Sequence, residues 1–539
     1  CMKLIDLSSL SKVFNDEKPT DSGFKSLSML LNERRSFQVA FQNKANDSIT
    51  FSIDSELKGF IKAYLVKCIP SKLASYPDHD DYVLRNGESG LYPDLLCPIK
   101  ENTPFSAAEG WNSVWLEIVP DESVKPANYI VKVNIQVGEL KAEEEVEVNI
   151  IDKLLPAQEL IFTNWFHSDC LATYYGVEVL SERHWEIIES FVKTAVEHGL
   201  NLLLTPIFTP PLDTAVGGER PTVQLVDVYR KGYKYSFDFT KLKRWIEMAD
   251  RNGVKYFEIS HLFTQWGAKH APKIMGCFKG EYVKLFGWET KAESQGYRNF
   301  LRQFAEAFNK FVAENNLKDR IFIHVSDEPH MRDLVHYRRA AKLIKEIFPD
   351  YRTLDALSDY EFYKKGLVET PVPAENHIEP FVGKVPRLWT YYCCGQYKNY
   401  VPNRFFAMPS QRNEILGFLL YKYSCEGFLQ WGYNFWYSQY SIREINPFTE
   451  SDAGGAFPSG DAYVVYPAPD GTPYTSLRLK VFYDGLQDLR LLKLLEKKIG
   501  RDEVIKVLEK GLAAPLSFTD YPRSDEWLLN KREEIIRML

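Results

Sequence analysis

Through the first 155 or so residues, apolar positions recur at every second place. Phe37, Val39 and Phe41 alternate with polar neighbours, as do Tyr129, Val131, Val133, Ile135 and Val137, and then Val146, Val148 and Ile150. The Gly138-Glu139 break between the last two runs predicts a hairpin turn. A period of two with turns between the runs predicts antiparallel sheet with one wet face. A β-sandwich is the natural way to bury the other face. Pro156 closes the segment, which gives an N-terminal β-sandwich domain over residues 1–155 and a second domain over 156–539.

From about residue 157 the period changes: short apolar runs alternate with amphipathic stretches, the signature of parallel βα units. Strands are predicted near Leu160–Phe166, Asn201–Thr205, Tyr256–Ile259, Ile321–Pro329, Arg352–Leu357, Leu367–Val372, Arg387–Tyr392 and Phe428–Trp431. Between them, Ser181 caps a helix carrying Trp185, Ile188, Val192 and Ala195 on one face, and Gly199 ends it. Phe300, Phe304, Phe308 and Val312 sit four apart on a helix over Ser294–Asn315. Further helices are predicted over Leu242–Arg251, Leu334–Phe348, around Phe362, and over Ser476–Leu495. Eight strands with intervening helices predict a (β/α)8 TIM-like barrel, in which the sixth strand is the most weakly marked.

In such a barrel the chemistry sits at the C-terminal ends of the strands. The residues there are His167 and Asp169 after the first strand, His261 and Trp266 after the third, Asp327 and Glu328 after the fourth, and Tyr391 at the seventh. Trp431, Tyr433, Asn434 and Trp436 follow the eighth. Aromatic rings with polar tips suit a sugar, which offers C–H faces to stack on and hydroxyls to bond. His324 reads as an ordinary hydrogen-bonded strand histidine.

Composition narrows the partner. Hydrophobic residues at 45% and charged residues at 26% are normal for a folded globular chain. A net charge of −7 argues against a polynucleotide partner, and no run of Lys and Arg is expected to alternate with aromatics. No apolar run approaches the roughly 18–20 residues of a membrane span. The ten histidines form no paired-ligand spacing, so neither a metal nor a cofactor is expected. Eight cysteines without a CxxC pair predict free thiols in a reducing compartment, with Cys393-Cys394 as plain buried residues. Cys1 would suit a lipid-anchored cell-surface or periplasmic protein. The want of a Ser/Gly-rich tether behind it favours a cytoplasmic bacterial one, with Met2 as native start.

The run Ile321 to Pro329 ends in two adjacent carboxylates, which are costly to desolvate together. Asp-Glu-Pro also begins ordinary exposed helices, but this one falls at a strand end beside an aromatic rim. Glycoside hydrolysis usually needs two carboxyl groups across the sugar, and adjacent residues cannot straddle a ring. The difficulty vanishes if a 2-acetamido carbonyl of the substrate attacks its own anomeric carbon while one acid protonates the leaving oxygen and its neighbour steadies the acetamide N–H. Pro329 is expected to break the strand and to hold Glu328 extended.

The Ser326-Asp327-Glu328-Pro329 strand end resembles glycoside hydrolase family 123, the β-N-acetylgalactosaminidases and related bacterial proteins. So do Trp389–Cys394, Gly427–Trp436, Ser476-Leu477-Arg478 with Asp484–Asp488, and Asn32-Glu33-Arg34 with Ser36–Ala40. The resemblance implies an N-terminal β-sandwich joined to a (β/α)8 barrel and a retaining mechanism through an oxazolinium intermediate. It also implies that Asp327 orients the acetamido group and Glu328 is the general acid/base. The expected activity is release of terminal β-linked GalNAc from glycans or glycolipids. A β-N-acetylglucosaminidase, which differs only at O4, and a glycan-binding protein without turnover stay open as alternatives.

Overall fold

The computed structural model describes residues 2–539, so Cys1 and the expectation attached to it lie outside the described residues. The period-two runs of the first segment build two sheets. One is antiparallel, with Ile5–Ser8, Arg35–Asn43, Gly110–Ile118, Ile61–Ser71 and Gly90–Pro98 in that order. The other orders Ser26–Leu30, Leu140–Ile151, Ala127–Val137 and Ile49–Asp54. Phe37, Val39 and Phe41 of the first sheet share one buried core with Val131, Val133, Ile135, Val146 and Val148 of the second. The hairpin falls at Gly138, whose φ of +60° a side chain would resist.

Eight short strands follow, labelled here β1 (Ile161–Asn164), β2 (Leu202–Thr205), β3 (Tyr256–Ile259), β4 (Ile321–Ile323), β5 (Arg352–Ala356), β6 (Thr370–Val372), β7 (Trp389–Tyr391) and β8 (Gly427–Gln430). All of their pairings are parallel. They form an arc β2-β3-β4-β5-β6 and an arc β1-β8-β7. Asn201 ties one seam: its Oδ1 accepts the Phe162 N–H at 2.8 Å, and its own N–H donates to the Phe162 carbonyl at 3.1 Å. A parallel bridge between Ala374 and Tyr391 ties the other. The sixth strand is thus present, though only three residues long.

The helices start where their caps predict. Ser181 accepts the His184 N–H ahead of Glu182–Glu197, Ser294 accepts the Tyr297 N–H ahead of Gln295–Glu314, and Ser476 accepts the Leu479 N–H ahead of Leu477–Ile499. Phe300, Phe304 and Phe308 are buried as their spacing requires.

Three features differ from the sequence expectation. A four-stranded sheet is inserted after β2 and β3, made of the hairpins Asp227–Lys231/Lys234–Asp238 and Ile274–Phe278/Glu281–Phe286 joined by parallel pairing. The strands Tyr466–Pro467 and Pro473–Ser476 cross the boundary expected at residue 155 and extend the first sheet. Ion pairs reinforce that joint: Arg478 forks onto Asp94 at 2.6 and 2.9 Å, and Arg532 bridges Glu33 at 2.5 Å and Asp488 at 2.6 Å. The motif residues Glu33, Arg478 and Asp488 therefore hold the sheet against the strand set rather than doing chemistry. Finally, β4 stops at Ile323, four residues short of the carboxylate pair.

Candidate active site

Asp355, the penultimate residue of β5, explains why β4 stops. Its buried Oδ1 accepts the N–H groups of Val325 and Ser326 at 2.9 and 3.3 Å, taking over the bonds a longer ladder would have made. The chain then bends outward. The Trp266 N–H donates to the Asp327 carbonyl at 3.1 Å, and the Glu328 N–H donates to Ala356 O at 2.9 Å. Between these anchors Glu328 has φ +48°, so it is left-handed and not extended as Pro329 predicts. Two backbone hydrogen bonds, one from the loop after β3 and one to the end of β5, outweigh the local preference. Such strain is held where surrounding structure over-determines it, commonly at functional sites.

The bend turns both carboxyls into one cavity of about 160 Å³. Asp327 is 5% exposed; its Oδ2 accepts the Gln265 amide at 2.8 Å, while Oδ1 is buried without a donor. Burial, and then the charge of Glu328, push the Asp327 carboxyl well above the usual carboxylate range. Burial also raises Glu328, and His330, the Trp266 indole and the Tyr391 hydroxyl facing it pull it partly back. Two acids buried side by side keep their protons to higher pH than free carboxyls do.

Three further polar groups complete the wall. Gln265 Oε1 accepts the Asp213 N–H at 2.7 Å, and Asp213 Oδ2 accepts the Tyr440 N–H at 3.0 Å. Burial pushes Asp213 up to about 6. The Trp431 indole N–H donates to Asp461 Oδ2 at 3.1 Å, and burial pushes that acid up to about 7. Below them, the Trp165 indole donates to both oxygens of Glu258 at 3.1 Å, and Glu258 lies 2.7 Å from His324 Nε2. A ring-lined cavity with carboxyls partly protonated can bind a neutral polyol and transfer a proton to a leaving oxygen.

Of the expected site residues, Asp327, Glu328, Trp266, Tyr391 and Trp431 line this cavity; Asp169, held by Arg220 at 2.6 and 2.9 Å, and five others do not. His167 is turned away: its Nδ1 meets Arg220 at 2.9 Å and its Nε2 the Trp431 carbonyl at 2.8 Å, and burial beside the Arg220 charge lowers its pKa to about 3. Asn434 brackets the His167 backbone, accepting its N–H at 2.8 Å and donating to its carbonyl at 3.0 Å. Tyr433 spends its hydroxyl on the Phe191 carbonyl at 2.9 Å, and Trp436 packs edge-on to Tyr174 and Phe191. His261 is wholly buried with its ring 4.4 Å from that of His324. These five shape the rim from behind. Cys393 and Cys394, expected to be buried, are half-exposed and line the cavity as free thiols.

Sequence reasoning missed Trp165, Asp213, Gln265 and Asp461. Gln265 adjoins Trp266 and Trp165 ends the first strand run, so position could have found those two. Asp213 and Asp461 sit in long loops that carry no motif.

The family model for the glycoside hydrolase 123 catalytic domain matches residues 165–495. The chain belongs to glycoside hydrolase family 123. Its structure is similar to that of a family 123 glycoside hydrolase from Clostridium perfringens, studied for glycolipid glycan hydrolysis, with a TM-score of 0.75 at 16% identity over 100% of this chain and 97% of that one. That likeness speaks for the mixed α/β, many-sheeted fold. A β-glucuronidase from Bacteroides uniformis matches at a TM-score of 0.32 and 11% identity, over 87% of this chain and 48% of that one, which is too loose to support an argument. A search of curated proteins finds no match. This family 123 chain is thus a glycoside hydrolase, and among its described residues no helix is long and apolar enough to cross a membrane.

Proposed function

We propose that this family 123 hydrolase is an exo-acting, retaining β-N-acetylgalactosaminidase that releases terminal β-linked GalNAc from glycans, including glycolipid glycans, by substrate-assisted catalysis. One observation carries the reading: Asp327 offers a buried oxygen without a donor, next to Glu328 in the same cavity. A buried acceptor left bare costs stability unless something fills it. The N–H of a 2-acetamido group is such a donor, and Asp327 then orients the internal nucleophile. Glu328, raised by burial, delivers the proton to the leaving oxygen and later takes one from water as the oxazolinium opens. Tyr391, Trp266 and Trp431 supply faces and polar tips for the sugar. The same reading takes the two arcs as a closed (β/α)8 barrel and the two sheets before it as a β-sandwich domain.

The test is a panel of aryl β-GalNAc, β-GlcNAc, β-Gal and α-GalNAc glycosides. Turnover of β-GalNAc, with β-Gal far slower, is the expected result. Equal rates on β-Gal and β-GalNAc would sink substrate assistance. A faster β-GlcNAc rate would assign the glucosaminidase reading, and affinity without product release would assign a binding protein. Asp327→Asn retaining full activity would remove Asp327 from the mechanism.

A further inference from the structure

The inserted sheet carries a feature that catalysis does not use. Its two hairpins end side by side, with Arg230 in register with Phe278 and the guanidinium 4.5 Å from that ring. The first turn reads Tyr229-Arg230-Lys231-Gly232-Tyr233-Lys234-Tyr235 and the second Phe278-Lys279-Gly280-Glu281-Tyr282, contrary to the expectation that no basic run alternates with aromatics. Four cations (Arg230, Lys231, Lys234 and Lys279) meet one acid, Glu281, on a chain whose net charge is −7. Tyr233 is 80% exposed, Tyr282 65% and Tyr229 45%. The opposite face of the sheet is accounted for, since Tyr235 and Phe237 pack on Phe300. The outward rings have no such partner.

The tips also have a definite place. Asn299 and Gln303 donate to the Tyr233 carbonyl at 3.0 and 2.9 Å, which fixes the first tip over the early turns of helix Gln295–Glu314. That helix runs down to β4, so its start lies at the C-terminal ends of the strands. The hairpins continue the two loops that bring Asp213 and Gln265 to the cavity. Basic residues gathered with Tyr and Phe at exposed turns match the interfacial layer of an anionic bilayer, where rings sit among headgroups and cations meet acidic lipids. A polynucleotide would call for cations tracking a groove, and here they gather at turn ends.

We propose that the paired hairpin tips formed by Tyr229–Lys234 and Phe278–Tyr282 dock this enzyme on an anionic lipid surface, holding the cavity over glycans that the membrane carries. The docking is independent of which sugar is removed. Its test is co-sedimentation of the full chain with phosphatidylcholine vesicles, with and without phosphatidylglycerol. Binding is expected only to the anionic vesicles and to weaken with salt. It should fall at least about tenfold in Lys231→Glu/Lys234→Glu/Lys279→Glu, and fall in Tyr233→Ala, which keeps every charge. Hydrolysis of a soluble aryl glycoside should be unchanged in both variants, so failure of the docking is distinguishable from failure of the catalytic reading. Absence of binding to anionic vesicles, or binding indifferent to the substitutions, overturns the proposal. So does tighter binding to a single-stranded oligonucleotide than to the vesicles.

Discussion

Gln265 donates its side-chain amide to Oδ2 of Asp327 at 2.8 Å, and Oδ1 of the same carboxyl is left buried without a donor. The other end of that amide accepts the Asp213 N–H at 2.7 Å, so the Gln265 side chain can hold only one orientation. One amide therefore sets which oxygen of Asp327 faces the cavity and ties it to a neighbouring loop. Gln265 is a positioning residue: it acts through Asp327.

Gln265→Leu should lower kcat/KM on an aryl β-GalNAc substrate by about 10²-fold, the usual order for small misplacement of a reacting group. Gln265→Glu separates positioning from mere packing. Protonated, the new carboxyl can donate to Asp327; ionised, it repels it. Its activity should therefore rise toward wild type as pH falls, whereas the Leu variant should show no such recovery. A pH–rate profile of both variants checks this.

Glu328 must carry a proton to act as the acid, and burial raises its pKa above the ordinary glutamate value of about 4.3. Protonated acid is lost as pH rises through that raised pKa, so the alkaline limb of kcat/KM should lie above the normal glutamate range. Glu328→Gln should abolish that limb and cost about 10²- to 10⁴-fold on substrates with poor leaving groups. On a nitrophenyl glycoside, whose leaving group needs little protonation, the loss should be smaller. Equal losses on both substrates would assign Glu328 another role.

How far this site could be read from the chain depends on the kind of signal. Most strands of the second segment were legible because they are short apolar runs between helices, with caps at Ser181, Ser294 and Ser476. The inserted sheet was not: its strands are only five or six residues long and mostly rich in charge, and the alternation of Tyr235 and Phe237 with Lys234, Ser236 and Asp238 is too short to stand out. Pro473–Ser476 pairs with Leu95 and Leu96, a contact nearly 400 positions away that no local pattern announces. At the rim, position identified strand ends but not side-chain direction. Trp431 and Tyr433 are two apart beyond β8, yet one indole lines the cavity while the other ring's hydroxyl reaches Phe191 behind it. The left-handed Glu328 was illegible for a related reason, because its two anchoring bonds come from Trp266 in the loop after β3 and Ala356 at the end of β5.

The seam between β7 and β8 should tolerate no side chain at Gly427. A Cβ there would fall within the Trp389 indole, which is fully buried. Gly427→Ala should destabilise the fold by about 1–3 kcal/mol through overpacking. It should also lower kcat, because Tyr391 lies two residues from Trp389 on the same strand. Thermal unfolding and initial rates measured on one preparation test both effects.

The buried ion network that joins the N-terminal sheets to the strand set should make stability fall as pH rises. Burial pushes Glu414 and Asp484 up to about 7 and Asp488 up to about 8 in the folded chain. Their unfolded values are near 4, so between about pH 4 and 8 the folded state holds protons that the unfolded state has released. The folded state then binds more protons, and unfolding free energy declines with rising pH across that window. Arg532 and Arg35 limit the effect: Arg532 holds Glu33 and Asp488, and Arg35 lies 3.2 Å from Glu414. Arg532→Met should cost about 3–5 kcal/mol, because it leaves two carboxyls buried without their partner. The loss should shrink toward acid pH, where those carboxyls can take up protons. Denaturation midpoints of both proteins from pH 5 to about pH 8, within the window set by these shifts, should show the variant's curve falling more steeply than the wild type's. A variant curve no steeper than the wild-type one would contradict the assigned pKa directions.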